Sequence, residues 1–499
     1  MRRRADQLDT GARITGTFEV EPGREVFGEL TLEEDRTRLF LRDDDFFHTL
    51  ALADNYLKGR AHDLSCLSLF DCITMTGPGS GSSGKQSYTF ADVFPHHVTQ
   101  GQQHLGPREQ AIRSATFTID DGHALFYDFD ALSVVLDAKP LIDVVANSNR
   151  KVTRRKPPIG DHPRIHFHPG RSDLLAARTA LGQVRVSNLI DETIGSPRCI
   201  ALESRIGFQV SWSRRTDLKA ALMAIDTMTR FLELMVGRSQ NLHNLLLDVP
   251  SDENPSLLKI YSPMANRWMR SSGERSPGPH DVLIDGVRRR AEFSKVLRGW
   301  LALDDQRRDA RLSFANAFRK GNKFSEDRLI AAANMFDLLP PEAVPKKASL
   351  NKELAEAKDE ARAIFEALAD SPERESMLSA IGRLGTTSLP KKVLHRAKIV
   401  TDVVPRLAPD MAFVVREAIK CRNHYVHGSD ASFDYRADGD AMSFFTNTLE
   451  FVFGGSELIE CGWSIGKSPV GTHPFSELVR SWTPRVQSLR ANVKAAKDK

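Results

Sequence analysis

The sequence predicts an α+β protein, with a β-rich, sandwich-like first half followed by an all-α helical bundle. Three observations carry the prediction. Up to about residue 210, apolar and polar residues alternate in short runs separated by turn residues. Near Thr216 the apolar spacing changes to that of a helix. From Val287 onward almost every segment is compatible with a helix, and prolines fall between the segments.

Taken in order, Phe18-Glu19-Val20, Gly28-Glu29-Leu30-Thr31-Leu32 and Arg38-Leu39-Phe40-Leu41 read as short strands, with Pro22-Gly23 as a turn. Asp63 to Phe70 alternates more cleanly, and Ala115 to Ile119 and Arg164 to His168 follow the same pattern. Many short strands of this kind build a sandwich or a twisted antiparallel sheet. Asp217 to Val236 places Leu218, Leu222, Ile225, Met228, Leu232 and Met235 at helical spacing, with Thr216 or Asp217 as the cap and Gly237 as the stop. Residues 260–290 read as loop, with Ser271-Ser272-Gly273 and Pro277-Gly278-Pro279 as breakers. Helices are then expected over 287–303, 306–319, 325–338, 349–369, 373–383, 390–403, 409–424 and 439–460. The resulting division is a β-rich domain over 1–215, a helical and loop connector over 216–300, and a helical bundle over 301–499.

Composition narrows the class. A chain of 499 residues with 41% hydrophobic and 27% charged residues has enough apolar material for buried cores and is not a disordered polymer. No apolar run reaches the roughly 18 residues that a membrane-spanning helix needs, so no membrane partner is expected. Met1-Arg2-Arg3-Arg4 has the charge that opens a signal peptide, but no apolar stretch follows it. The five cysteines are odd in number and lack zinc-type spacing, which fits reduced thiols in a cytoplasm. With 69 Lys and Arg against 65 Asp and Glu, the net charge is only +4, so a nucleic-acid surface would have to come from local clusters.

One stretch carries chemistry: Arg416 to Gly428, reading REAIKCRNHYVHG. Met411, Val414, Val415, Ala418 and Ile419 form an apolar stripe that continues to Arg422, so a guanidinium leaves the buried side of a helix near its C-terminal end. Such an arginine is rarely left without an anionic partner. His427 follows five residues later, beside Gly428, and the helix end can gather Arg422, Asn423 and His427 around one cleft. The set suits metal-free RNA cleavage. A histidine can take a proton from a 2′-hydroxyl or give one to a 5′-oxygen. An arginine fork can hold the phosphate, and Asn423 can bond a phosphate oxygen or orient the imidazole. Spacing alone favours a simpler reading, in which the arginine answers the helix macrodipole and the histidine caps carbonyls.

The arrangement Arg422-Asn423-x-x-x-His427, on the penultimate expected helix of a bundle, resembles the arginine-to-histidine signature of HEPN domains. Its setting, Ile419 to Gly428, is similar to the HEPN domain of ApeA-type anti-phage proteins. At the other end, Phe18 to Gly23, Gly28 to Leu32 and Leu67 to Cys72 resemble the ApeA N-terminal domain. The resemblance implies an anti-phage abortive-infection protein whose HEPN bundle pairs with a second copy, so that two motifs face one composite site. It implies a metal-independent RNA endonuclease leaving 2′,3′-cyclic phosphate ends, with Arg422 and His427 as the catalytic pair and Asn423 as a polar helper. Structured host RNA such as tRNA is the expected substrate, a phage-derived protein or nucleic acid the expected trigger, and no cofactor or metal is implied. The alternative is a non-catalytic HEPN module that binds RNA or a protein partner. HEPN toxins controlled by adenylylation carry a tyrosine three positions after the motif histidine, where this chain has Asp430, which argues against that control.

Other motifs are weaker. Gly79 to Lys85 satisfies G-x4-G-K, but Gln86 replaces the Mg²⁺-binding hydroxyl and a strand-like run follows where a P-loop needs a helix. His166 and His168 share a strand face, near His162, without a carboxylate or cysteine to complete a metal set. The basic groups Arg150, Lys151, Arg154, Arg155 and Lys156, and Lys391, Lys392, Arg396 and Lys398, can meet phosphates or simply be solvated. Phe314, Phe318 and Met335 are read as core.

Overall fold

Alternation in the first half becomes, in the computed structural model, an antiparallel sheet of 15 strands. The structure describes residues 11–33, 37–44, 55–74, 79–83, 86–196, 199–250, 255–262, 275–345, 350–385, 387–465 and 471–498. The basic start of the chain, Gly84-Lys85 and the Ser271-Ser272-Gly273 breaker lie outside the described residues. Two units divide the chain, residues 1–294 and residues 295–499.

In the first unit the strands are β1 (Arg13–Glu21), β2 (Arg24–Leu32), β3 (Thr37–Asp43), β4 (Leu57–Ala61), β5 (Cys66–Phe70), β6 (Ile73–Thr74), β7 (Gly79–Ser83), β8 (Gln86–Phe94), β9 (His97–Gly101) and β10 (Ile112–Ile119). Then come α1 (Gly122–Leu125), β11 (Ser133–Val135), α2 (Lys139–Thr153), β12 (Ile165–Phe167), β13 (Asp173–Thr179), β14 (Gly182–Ser196) and β15 (Cys199–Thr216). The unit closes with α3 (Leu218–Val236), β16 (Leu242–Pro250) and β17 (Pro255–Tyr261). Pairing runs in one path, β13-β14-β15-β10-β16-β17-β9-β5-β4-β1-β2-β3-β8-β6, with β7 added on β8, while β11 and β12 form a separate two-stranded sheet. The strands therefore form one continuous antiparallel ladder, as the alternation predicts.

Side chains from β1 to β5, β8 and β9 meet in one core, including Phe18, Leu30, Leu41, Leu67, Val93 and Val98. The expected strand from Asp63 shortens to Cys66–Phe70, because Leu64 sits at φ 69° in the turn that follows β4. Helix α3 starts where Asp217 accepts from the Ala220 amide and ends at Gly237. It packs on β10 and β15, and Phe231 meets Phe293, which in turn meets Phe126 edge-on. Residues 216–300, expected as a connector, contribute α3, β16 and β17 to this unit, with β16 hydrogen-bonded between β10 and β17.

The second unit is helical: α4 (Arg290–Phe318, entering it at Lys295), α5 (Glu326–Asn334), α6 (Lys352–Glu366), α7 (Pro372–Arg383), α8 (Leu389–Val403), α9 (Met411–His427), α10 (Ala441–Glu460) and α11 (Pro474–Lys497). Two expected helices fuse into α4, since no proline separates them; within it Gly299 lies against Cys461, where a larger side chain would collide. Helix α11 was not anticipated, so α9 is third from the end and not penultimate. Helix α10 is buried along nearly its whole length, as a central helix must be. Phe314, Phe318 and Met335 are buried in this core as expected.

Charge is also buried there. Glu457 on α10 is fully enclosed and accepts from three arginines: Arg307 at 2.6 Å, Arg311 at 2.8 Å and Arg396 at 2.8 Å. Arg307 and Arg396 also reach Glu460, and Arg311 lies over the Trp300 ring, 3.7 Å from its centroid. A second buried pair, Arg328 on α5 with Glu450 on α10, is bidentate at 2.9 and 2.8 Å.

Replacing Glu457 with glutamine takes one carboxylate partner from each of three interior arginines, leaving Arg307 and Arg396 with Glu460 and Arg311 with Asp304 alone. The expected cost is about 3–5 kcal/mol, read as a lower urea midpoint at unchanged slope. Burial pushes the Glu460 carboxyl up, but Arg396 and Arg307 outweigh it and hold the group below its ordinary value of 4.5. A carboxyl whose native pKa is depressed stabilises the fold above its unfolded value and loses that contribution as the pH falls through the native one. Stability should therefore decline as the solution is acidified below pH 4.5, and less steeply in Glu460→Gln, as followed by urea titration at stepped pH.

Candidate functional site

Helix α9 is built by the apolar stripe that the sequence shows. Met411, Val414, Val415, Ala418, Ile419 and Cys421 are all buried. The helix runs beyond its expected end at residue 424, through His427, and stops at Gly428, whose φ of 66° suits glycine. Arg422 and His427 therefore share one continuous helix.

Their side chains meet. Arg422 Nη1 donates to His427 Nε2 at 3.1 Å and to Asn423 Oδ1 at 3.1 Å. Arg422 Nη2 donates to Asn334 Oδ1 at 2.9 Å, across from the end of α5. A guanidinium only donates, so His427 Nε2 must accept. The hydrogen bond therefore needs the tautomer with its hydrogen on Nδ1 and its Nε2 lone pair directed to the arginine. The three residues expected to act together are thus brought together, with His427 exposed and Arg422 and Asn423 half-buried.

Arg422 forms no ion pair with a carboxylate among the described residues. Its Nε is buried and lacks a hydrogen-bond partner among them. The contrast with the buried arginines of the unit is sharp, because Arg307, Arg311, Arg328 and Arg396 each meet at least one glutamate. At Arg422 the neighbours are two amides and an imidazole, none of which cancels its charge.

Around the helix end, His424 Nδ1 donates to the Ser429 carbonyl, 2.7 Å away, and its ring contacts Tyr425 and Tyr435. Tyr435 continues into Phe433 and Phe445, which fixes the loop after Gly428 to the core. Burial pushes the Tyr425 and Tyr435 hydroxyls up. Burial, with the Glu326 charge, takes the Cys421 thiol to about 12, so this cysteine is no nucleophile. Asp430 lies exposed beyond the helix.

The sequence missed Asn334. It closes Ala331-Ala332-Ala333-Asn334, a plain helix end, and nothing in its spacing ties it to a residue 88 positions later. The basic clusters resolve differently. Arg396 points inward to Glu457 and Glu460, Lys392 meets Asp337 and Lys398 meets Asp402, so that group is not a free phosphate surface. Arg150 to Lys156 stay exposed at the end of α2, with Lys156 on Asp143. His166 lies opposite Val134 and His168 meets the Ala131 carbonyl. Among the described residues, no group of three or more His, Cys, Asp or Glu is arranged to hold a metal ion. No helix is long and apolar enough to cross a membrane among the described residues.

Residues 330–466 match the family model described as Apea-like HEPN. No curated protein and no solved structure matches the chain. The match begins inside α5 and ends just beyond α10, and it contains Asn334, Arg422, Asn423 and His427. The C-terminal helical part of the chain, over 330–466, is an Apea-like HEPN domain.

Proposed function

We propose that this domain is a metal-independent endoribonuclease centred on Arg422, Asn423 and His427, within a cytoplasmic anti-phage protein that acts by abortive infection. The observation that supports the reading is a guanidinium held only by neutral acceptors, 3.1 Å from Nε2 of an exposed histidine. A phosphodiester supplies the anion that Arg422 lacks, through charge-assisted hydrogen bonds. On binding it draws the fork away from Nε2 and frees the imidazole lone pair beside the reacting phosphate.

The chemistry then needs the 2′-hydroxyl, which restricts it to RNA. Nε2 takes the 2′-hydroxyl proton as the 2′-oxygen bonds to phosphorus. The bond from phosphorus to the 5′-oxygen breaks, and a protonated imidazole returns a proton to that oxygen. The products are a 2′,3′-cyclic phosphate and a 5′-hydroxyl. One chain brings one motif histidine, so pairing of two copies as a homodimer completes the acid and base. Structured host RNA such as tRNA is the substrate in this reading. The β-rich unit receives the phage-derived trigger, a protein or nucleic acid.

The test incubates wild type, Arg422→Ala and His427→Ala with total cellular RNA in excess chelator, alone and with lysate of infected cells. Wild type should leave cyclic phosphate ends. His427→Ala should turn over about 10³-fold more slowly, a typical loss for a general base, and Arg422→Ala about 10²-fold or more. RNA that is bound yet stays intact in infected lysate would mark a binding module and end the ribonuclease reading. Light scattering of the wild type should give twice the mass of one chain.

A further inference from the structure

We infer that Asn334 is a positioning residue that clamps Arg422 while leaving its charge available to RNA. The inference rests on the reading of Arg422 as a phosphate holder and adds a residue from another helix to it.

Asn334 is the last residue of α5, and its Oδ1 accepts from Arg422 Nη2 at 2.9 Å. Helix α5 is itself pinned, since Arg328, six residues earlier, makes the bidentate buried pair with Glu450 on α10. The fork of Arg422 is therefore aimed from a fixed point on a second helix, while Asn423 and His427 take its other terminal nitrogen.

The choice of an amide carries the argument. Within this unit the chain meets its buried arginines with carboxylates, as Glu457 and Glu450 show. At Arg422 it places a group of nearly the same shape as aspartate but without charge. An amide offers one acceptor oxygen where a carboxylate offers two. That difference is visible in the arginine, because Nη2 is satisfied and Nε is left without a partner among the described residues. Glu450, by contrast, takes both Nε and Nη2 of Arg328. A carboxylate at position 334 would complete the hydrogen bonding of Arg422 and cancel the field that draws an anion. Asparagine gives up one hydrogen bond and keeps the field.

The experiment compares wild type, Asn334→Asp, Asn334→Ala and Arg422→Ala in two measurements. The first is the thermal midpoint. The second is binding to a 2′-O-methyl RNA oligonucleotide, which offers phosphates but no 2′-hydroxyl to cleave, over a series of salt concentrations. Asn334→Asp should keep or raise the midpoint, yet bind about tenfold more weakly. Its salt dependence should flatten by about 0.7 in log–log slope, as in Arg422→Ala. Asn334→Ala leaves the charge and removes only the clamp, so it should keep the wild-type slope. A purely structural asparagine would lower affinity and midpoint together. Wild-type slope in Asn334→Asp, with the slope lost in Arg422→Ala, overturns the inference and leaves the phosphate reading standing. Wild-type slope in Arg422→Ala removes the phosphate reading and the inference with it.

Discussion

Glu457 is the point on which the helical unit turns. A carboxylate enclosed on all sides and reached by three guanidiniums is tolerable only if α4, α8 and α10 hold their places together, because an interior charge left unpaired costs far more than a packing defect. Helices α5 and α9 then pack against α10, and against each other, at the end where Arg422 emerges. Arg328 with Glu450 repeats the device on α5. The site is thus framed by charge pairing in the core, while its own arginine is left unneutralised.

That division of labour separates two uses of one residue type. In the interior, arginine forks are matched to carboxylates, and the result is orientation of helices. At the end of α9, the fork is matched to Asn334, Asn423 and His427, and the result is a cation with direction but no carboxylate partner among the described residues. The same contacts fix which imidazole nitrogen carries the hydrogen, since Nε2 has to accept. In the proposed ribonuclease, acid–base competence and anion affinity would therefore be set by a single group of hydrogen bonds.

Much of this was legible in the sequence, and the failures have causes. The cap at Asp217, the stop at Gly237, the stripe from Met411 to Ile419 and the closeness of Arg422, Asn423 and His427 all follow from local spacing. Arg396 was read among lysines as a surface cation, although Val393, Ala397 and Val400 mark the same helix face as buried. The period carried the information and the charge obscured it. Asn334 is a different case, because its role depends on how α5 meets α9, and no local pattern encodes a contact across 88 residues. Residues 242–250 were missed as a strand because their leucine run fits helix as well as sheet, and only the neighbours β10 and β17 decide it.

The glycine–serine run that imitates a nucleotide loop has a bearing on solubility. Strands β6 and β7 share the side of β8 that faces away from β3. Gly79 and Gly81 lie under Phe90 and Tyr88, where an added Cβ would come within 2.6 and 2.5 Å of the rings. The glycines let the aromatic rings fold over the strand, and Ser80 between them adds only a hydroxyl. Along β7 such a border shows a passing chain backbone groups to pair with but few apolar side chains to hold it. Natural sheets use short and polar borders of this kind to discourage edge-to-edge aggregation. Here β7 gives such a border to one stretch of that side of the 15-stranded ladder, while Ile73 on β6 stays half-exposed beside it.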